Sequence, residues 1–383
     1  MQFSFSTANR IIFGPGTVSQ IGSLVAALGD RAMVVTVSDE SATPVLRALS
    51  TAHVDAVTLA VSHEPTTGLV REGTERAREA GCDIVVGIGG GSVIDTGKAI
   101  AALLTNGGDP LDYLEVIGRG QPITKRSAPY IAIPTTAGTG AEVTANAVLA
   151  SPEHRVKVSL RGALILPHIA LVDPELTHSV PPAITASTGL DAFTQVLEPY
   201  VSSAANPITD TFCREGLWRA SESLLKAYEH GDDAAAREDM ALVSLLGGLA
   251  LANAKLGAVH GFAGVLGGMY DAPHGAICGR LLPFVMQANV AALLSREPKN
   301  PALARYDEIA SILTGDFDTT AQDGVVWVGE LCETLGVPGL ATYGVAREHF
   351  AEIIEKTQHS SSMKGNPIKL TDAELAAILA HAL

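Results

Sequence analysis

Residues 83–104 read DIVVGIGGGSVIDTGKAIAALL, and this stretch decides the fold class. Its first six residues form a mostly β-branched apolar run of strand length. Gly89, Gly90, Gly91 and Ser92 follow at once, and 93–104 then reads as a helix. Strand, glycine turn and helix make the repeating unit of a parallel sheet, whose strands need crossover connections. Working outward, 31–38 (RAMVVTVS), 54–61 and 130–133 (YIAI) read as further strands. Residues 41–50 and 69–80 read as helices between them. The expectation is an α/β domain with a parallel sheet covered on both faces.

Beyond residue 171 the texture changes. Strand-like runs nearly vanish, and Ala/Leu-rich segments follow at 183–201, 209–230, 234–254 and 323–335. These read as helices of a second, all-helical domain. The join falls in 171–182 (LVDPELTHSVPP), where three prolines punctuate the chain. The expected division is an α/β domain over 1–178 and an all-α domain over 179–383.

Composition narrows the function classes. Of the 383 residues, 26 are basic and 41 acidic, a net charge of −15. That balance argues against a protein built to grip nucleic acid or an anionic membrane. A hydrophobic fraction of 47% against 17% charged residues supplies a large core. Cys82, Cys213, Cys278 and Cys332 form no CxxC pair and read as buried small hydrophobes rather than a disulfide or zinc framework. Residues 1–10 are polar, unlike a secretory leader. The longest largely apolar run, 241–254, is shorter than the ~20 residues that span a bilayer. The expectation is a cytoplasmic protein.

Two glycine-rich turns carry candidate ligand chemistry. Gly89–Ser92 offers close backbone approach and the N–H groups of a following helix, which suits a phosphate. It departs from the GxGxxG fingerprint and does not follow the first strand. The second, PTTAGTGAE at 134–142, also follows a strand and presents the hydroxyls of Thr135, Thr136 and Thr139. A plain tight turn explains either segment alone, but two at strand ends suggest a shared ligand crevice.

Further on, GLDAFTQ at 189–195 puts Asp191 and Gln195 one helical turn apart on one face. His260 and His274 each lie in an apolar neighbourhood and each precede a glycine, which leaves space beside the ring. An aspartate and two histidines from different helices could hold a divalent cation with open positions for substrate. A histidine in an apolar stretch is also a common core residue. His53, His63, His230 and His381 read as surface residues.

Taken together, IGGGSVIDTGKA (88–99), IPTTAGTGAEVT (133–144), VDPELT (172–177), GLDAFTQVLEPY (189–200) and the VHG…APHG pair ending at Gly275 resemble the iron-containing (group III) alcohol dehydrogenases. The resemblance covers nearly the whole chain. It implies an α/β N-terminal dinucleotide-binding domain plus an all-α C-terminal metal domain, the dehydroquinate synthase-like arrangement. It implies that Gly89, Gly90, Gly91 and Ser92 hold the pyrophosphate of NAD or NADP, with Asp95 and Lys98 supporting that turn. Thr135, Thr136 and Thr139 would contact cofactor phosphate or ribose, Lys157 would lie near the cofactor and Leu176 near the adenine. Asp191, Gln195, His260 and His274 would hold one divalent metal, Fe²⁺ or Zn²⁺, and Asp191, His260 and His274 would carry catalysis on a small alcohol or carbonyl substrate. A homodimer is also implied.

Three departures bear on this reading. Gln195 stands where the family usually has His, and an amide oxygen is a weaker ligand than imidazole. Gly264 stands where many members carry a further His. Val37, with Asp39 two residues on, replaces the Asp that often selects NAD, so NAD versus NADP stays open. Two alternatives follow. One is a metal-independent maleylacetate reductase, which Gln195 and LGGMYDAPHG (266–275) favour and Asp191 disfavours. The other is a non-catalytic dinucleotide-binding protein.

Overall fold

The computed structural model describes residues 2–154 and 156–383, and the chain divides into two compact units. The first comprises Phe5–Thr136 and Gly140–His178. Its strands are β1 (Arg10–Phe13), β2 (Arg31–Thr36), β3 (Asp55–Ala60), β4 (Ile84–Gly89), β5 (Tyr130–Pro134), β6 (Asn146–Ser151), β7 (Val156–Arg161) and β8 (Ile169–Val172). Its helices are α1 (Ile21–Ala26), α2 (Asp39–Thr51), α3 (Thr67–Glu79), α4 (Gly91–Asn106) and the single turn α5 (Pro110–Tyr113). Six strands form one parallel sheet in the order β1-β8-β5-β4-β2-β3, while β6 and β7 pair separately as an antiparallel hairpin. Strands β4 and β5 are buried along their whole length, which is why they read as unbroken apolar runs, and β8 is buried likewise.

Four strands lay outside the sequence reading. β1 and β8 have four residues each, too few to show a period. They become strands because they pair with each other and β8 also pairs with β5. β6 alternates in burial but β7 does not, and the two pair only with each other among the strands.

Chain order reverses between β2 and β4. β3 lies outside β2, whereas β4, β5 and β8 proceed to the other side. In open parallel sheets, ligands bind outside the carboxyl ends of the strands at such a reversal. Here those ends are Thr36 and Gly89.

The second unit comprises residues 2–4, Ala137–Thr139 and Ser179–Leu383. It is built from α6 (Pro182–Val201), α7 (Pro207–Glu229), α8 (Ala234–Ala254), α9 (Ala258–Met269), α10 (His274–Arg296), α11 (Ala302–Thr314), α12 (Ala321–Thr334), α13 (Phe350–His359) and α14 (Asp372–Ala382). Helix α6 is central and packs on α7, α8 and α10. Thr139, expected in the first domain, falls with the helices, where neighbouring Gly138 donates its N–H to Ser244 Oγ at 2.9 Å. Among the described residues, α10 is the one single helix long and apolar enough to cross a membrane; α8, which contains the 241–254 run, reaches that length and hydropathy only together with α9, across a 101° bend. Most of α10 is buried inside the helical unit, so core packing accounts for its composition.

A buried charge cluster ties α4 to the hairpin side of the first unit. Lys98 Nζ donates to Ala141 O (2.8 Å), Asn146 O (2.6 Å) and Thr144 Oγ1 (3.1 Å), and lies 3.4 Å from Asp95 Oδ1. Asp95 Oδ2 accepts the Val148 N–H at 3.0 Å. Close by, burial pushes the Glu142 carboxyl up to about 7, with Lys98 pulling the other way. An acid with a raised folded pKa binds more protons folded than unfolded. Its stabilising share is complete below about 4.5, the ordinary value, and is lost as pH climbs through about 7. The loss is on the order of 3 kcal/mol. Urea midpoints measured from pH 4.5 to 7.5 should therefore fall for the wild type and flatten for Glu142→Gln. An unchanged slope in the variant would refute this assignment.

Candidate active site

Asp191, Gln195 and Glu198 occupy positions i, i+4 and i+7 of α6, one stripe along a helix that is buried from Gly189 to its end. Their exposures are 3%, 3% and 4%. Three buried polar side chains in a row need partners. Those partners come from the starts of α9 and α10.

Helix α8 ends at Ala254, and the chain then bends by 101° into α9. Lys255 makes the break with a positive φ of 63°. The N-cap of α9 is Gly257, which has no side chain to satisfy the first N–H groups of the helix. Distant residues do so instead. Asn366 Oδ1 accepts from Ala258 N (3.1 Å), Glu198 Oε1 from Val259 N (2.7 Å) and Glu198 Oε2 from His260 N (3.4 Å). A Cβ at position 257 would press on both capping oxygens, so the glycine is required by close approach. Glu198 Oε2 also lies 2.7 Å from His260 Nδ1. A carboxylate can only accept, so in the metal-free site both ring nitrogens carry protons, Nδ1 donating to Glu198 and Nε2 to Asp191 Oδ1 at 3.2 Å; a bound cation would take the place of the Nε2 proton.

His274 is the first residue of α10, following Pro273. Its Nε2 lies 3.7 Å from Asp191 Oδ1, and the two imidazole rings are 5.5 Å apart. A Cβ on Gly275 would overlap the Ser187 carbonyl, so this glycine lets α10 reach α6. The glycine after each histidine thus serves packing rather than leaving room beside the ring, since Gly261 is filled by Met363. One turn beyond His274 stands Cys278. One donor atom from each of Asp191, His260, His274 and Cys278 falls within 4.8 Å of the others.

The electrostatics follow from this packing. Burial would raise the Asp191 carboxyl, but His274, His260 and Gln195 bring it down to about 2. Burial would lower His260, but Asp191 and Glu198 bring it up to about 9. Burial pushes the Cys278 thiol well up, reinforced by Asp191 and Glu198. Gln195 hydrogen-bonds to Asp191, yet its Oε1 is buried without a partner. A cluster of one carboxylate, two imidazoles and a thiol, with an unsatisfied buried amide oxygen on the side chain that bonds the carboxylate, fits a divalent transition-metal ion.

The expected cofactor residues lie mainly in the first unit. Gly89 ends β4, Gly90 is the N-cap of α4 without a side-chain bond, and Gly91 and Ser92 begin that helix. Thr135 donates its N–H to Gly89 O at 3.0 Å, which holds Thr135 and Thr136 beside the glycine turn. That leaves an uncapped helix N-terminus of the kind that receives phosphate. Asp95 and Lys98 bond instead to the 141–148 segment described above. Lys157, on β7, pairs with Glu64 at 3.1 Å. Leu176 packs on the apolar face of the sheet.

Three participants escaped the sequence reading. Glu198 lies inside GLDAFTQVLEPY, where the i+7 spacing of a third polar residue was the available signal. Cys278 is buried, as expected of a small hydrophobe, but stands among possible ligands. Asn366 belongs to the partly exposed 360–367 segment, but is itself buried, caps α9 and exchanges hydrogen bonds with Asn289 (2.7 and 3.2 Å).

Comparison with known proteins decides the family. The iron-containing alcohol dehydrogenase model matches residues 8–174, and the C-terminal model of the Fe-containing alcohol dehydrogenase family matches 185–383. The chain belongs to the iron-containing alcohol dehydrogenase family. Members are oxidoreductases acting on CH–OH groups, and the family implies NAD(H) and a divalent metal. Alcohol dehydrogenase 4 of Saccharomyces cerevisiae is 38% identical over 319 residues, covering 83% of this chain and 80% of that one. The 1,3-propanediol dehydrogenase of Klebsiella pneumoniae is 34% identical, covering 99% and 98%. A crystal structure of a 1,3-propanediol oxidoreductase matches with a TM-score of 0.92 at 33% identity, covering 100% of both chains.

Proposed function

We propose that the protein is an NAD-dependent, divalent-metal-dependent alcohol dehydrogenase for small alcohols and their aldehydes or ketones. The observation that carries this reading is the convergence of Asp191, His260 and His274 at 3.2 and 3.7 Å around one carboxylate oxygen, with Cys278 alongside. Asp191, His260 and His274 would hold the cation, and Gly89, Gly90, Gly91, Ser92, Thr135 and Thr136 the dinucleotide. When bound, the cation would supply Lewis-acid polarisation of the substrate oxygen and the nicotinamide the hydride. Asp191 supplies the negative charge that offsets the cation in a buried setting, and Glu198 keeps the His260 ring in its ligating orientation.

The choice of NAD rests on the carboxyl end of β2. Val37, Ser38, Asp39 and Glu40 follow Thr36, with Asp39 and Glu40 in the first turn of α2. These residues offer two carboxylates and no cation to a 2′-phosphate, so NADP meets like charge there. The preference for NAD in kcat/KM should exceed about tenfold, or ~1.4 kcal/mol. Asp39→Ser should narrow it.

The test is metal analysis of anaerobically purified protein with turnover of C2–C4 alcohols before and after chelation. One equivalent of metal, loss of turnover on chelation and recovery on adding Fe²⁺ or Zn²⁺ are expected. Full turnover without metal, or reduction of maleylacetate by chelated protein, would give the place to the reductase reading. The homodimer proposed from the family is checked by light scattering of the same sample.

A further inference from the structure

The helical unit holds two candidates for a fourth strong ligand beside Asp191, His260 and His274. One is the Gln195 amide, the other the Cys278 thiol. We propose that Cys278 Sγ, as a thiolate, is the fourth strong ligand, and that Gln195 is at most a weak additional donor. The inference rests on the metal-dependent reading above and specifies its donor set.

Geometry separates the two side chains. A tetrahedral ion with ligands at 2.0–2.3 Å places donor atoms roughly 3.3–3.8 Å apart. Asp191 and the two histidines already stand at 3.2 and 3.7 Å. Cys278 joins the same cluster within 4.8 Å, so side-chain shifts of about 1 Å complete the shell. Helix spacing supports it. His274 and Cys278 are i and i+4 on α10, which puts both donors on one face of a rigid element. Gln195 is committed to Asp191 by its own hydrogen bond and so orients that ligand. Its orphaned, buried Oε1 is the independent sign that a cation belongs beside it.

Chemistry favours sulfur as well. Thiolate is a far stronger ligand than a neutral amide oxygen for Zn²⁺, Co²⁺ and Fe²⁺. Binding moves the thiol proton to solvent and changes no oxidation state. The thiolate and Asp191 carboxylate together neutralise a dication, which lowers the cost of burying it. A sulfur donor also tilts the site towards Zn²⁺ and Co²⁺ over Mn²⁺.

Full-length wild-type protein loaded with Zn²⁺ should show one sulfur at about 2.3 Å in zinc-edge X-ray absorption. Loaded with Co²⁺, it should show a near-ultraviolet thiolate-to-cobalt charge-transfer band. Cys278→Ser should lose the band and bind Zn²⁺ at least about a hundredfold more weakly, since even partners outside the ligand set cost 10–100-fold. Gln195→Leu should keep the band. The wild-type absorption spectrum needs no variant, so a poorly folded Cys278→Ser leaves the test intact. Bound metal without a sulfur neighbour would overturn the ligand assignment while sparing the metal-dependent reading. Failure to bind either ion would overturn both.

Discussion

Asp191→Ala is expected to leave the purified protein without metal and to lower kcat/KM by about a thousandfold or more. Lewis-acid polarisation is worth several kcal/mol of transition-state stabilisation, and ~4 kcal/mol corresponds to that factor. The substitution removes the carboxylate on which both histidines converge. A second readout concerns folding of chelated protein. Asp191 is held at about 2 against an ordinary 3.8. A depressed acid contributes stability that is present above about 3.8 and lost as pH falls through about 2, on the order of 2 kcal/mol here. Chelated Asp191→Ala should therefore unfold at lower urea than chelated wild type at pH 7. The two should converge near pH 2. The raised His260 reports largely the same interaction from the other side and is not an additional contribution. Retained metal and turnover in Asp191→Ala would remove the centre from the mechanism.

Glu198→Ala is expected to destabilise the fold by about 3–5 kcal/mol, because one buried carboxylate serves three donors. The Val259 N–H, the His260 N–H and His260 Nδ1 all lose their acceptor at once. The first turn of α9 then has no side-chain cap apart from Asn366, since Gly257 offers none. Metal affinity should drop by 10–100-fold, the usual effect of removing a partner that orients a histidine ligand. Glu198→Gln separates the two roles. Its carbonyl oxygen can still accept from Val259, so stability should recover in part. Its amide cannot serve His260 Nδ1 and Val259 equally, so metal affinity should remain low. A Glu198→Ala protein that melts like the wild type would show that this carboxylate neither caps α9 nor orients His260.

Much of this molecule is legible in its sequence because the signals are local. The run into Gly89–Ser92 declares a strand, a turn and a helix within about twenty residues. Asp191 and Gln195 declare a shared face through helical spacing alone. The change of texture near residue 171 likewise follows from composition, since parallel strands and buried helices use different residues.

What the tertiary structure decided is every relation that local periodicity cannot carry. β1 and β8 are too short to signal a period and exist through pairing across more than 150 residues. Glu198 reads as one more polar helix residue until α9 arrives with an uncapped end, 61 residues on. Cys278 reads as a small core residue until Gly275 lets α10 close on α6 and sets its sulfur beside Asp191. Asn366 reads as a loop residue until α9 needs an acceptor. Residue type and spacing therefore suffice for the central strands, the long helices α2–α4, α6–α8 and α12, and three of the four clustered donors. The fourth donor and the capping groups depend on helix-to-helix approach, a distance that no single helix encodes.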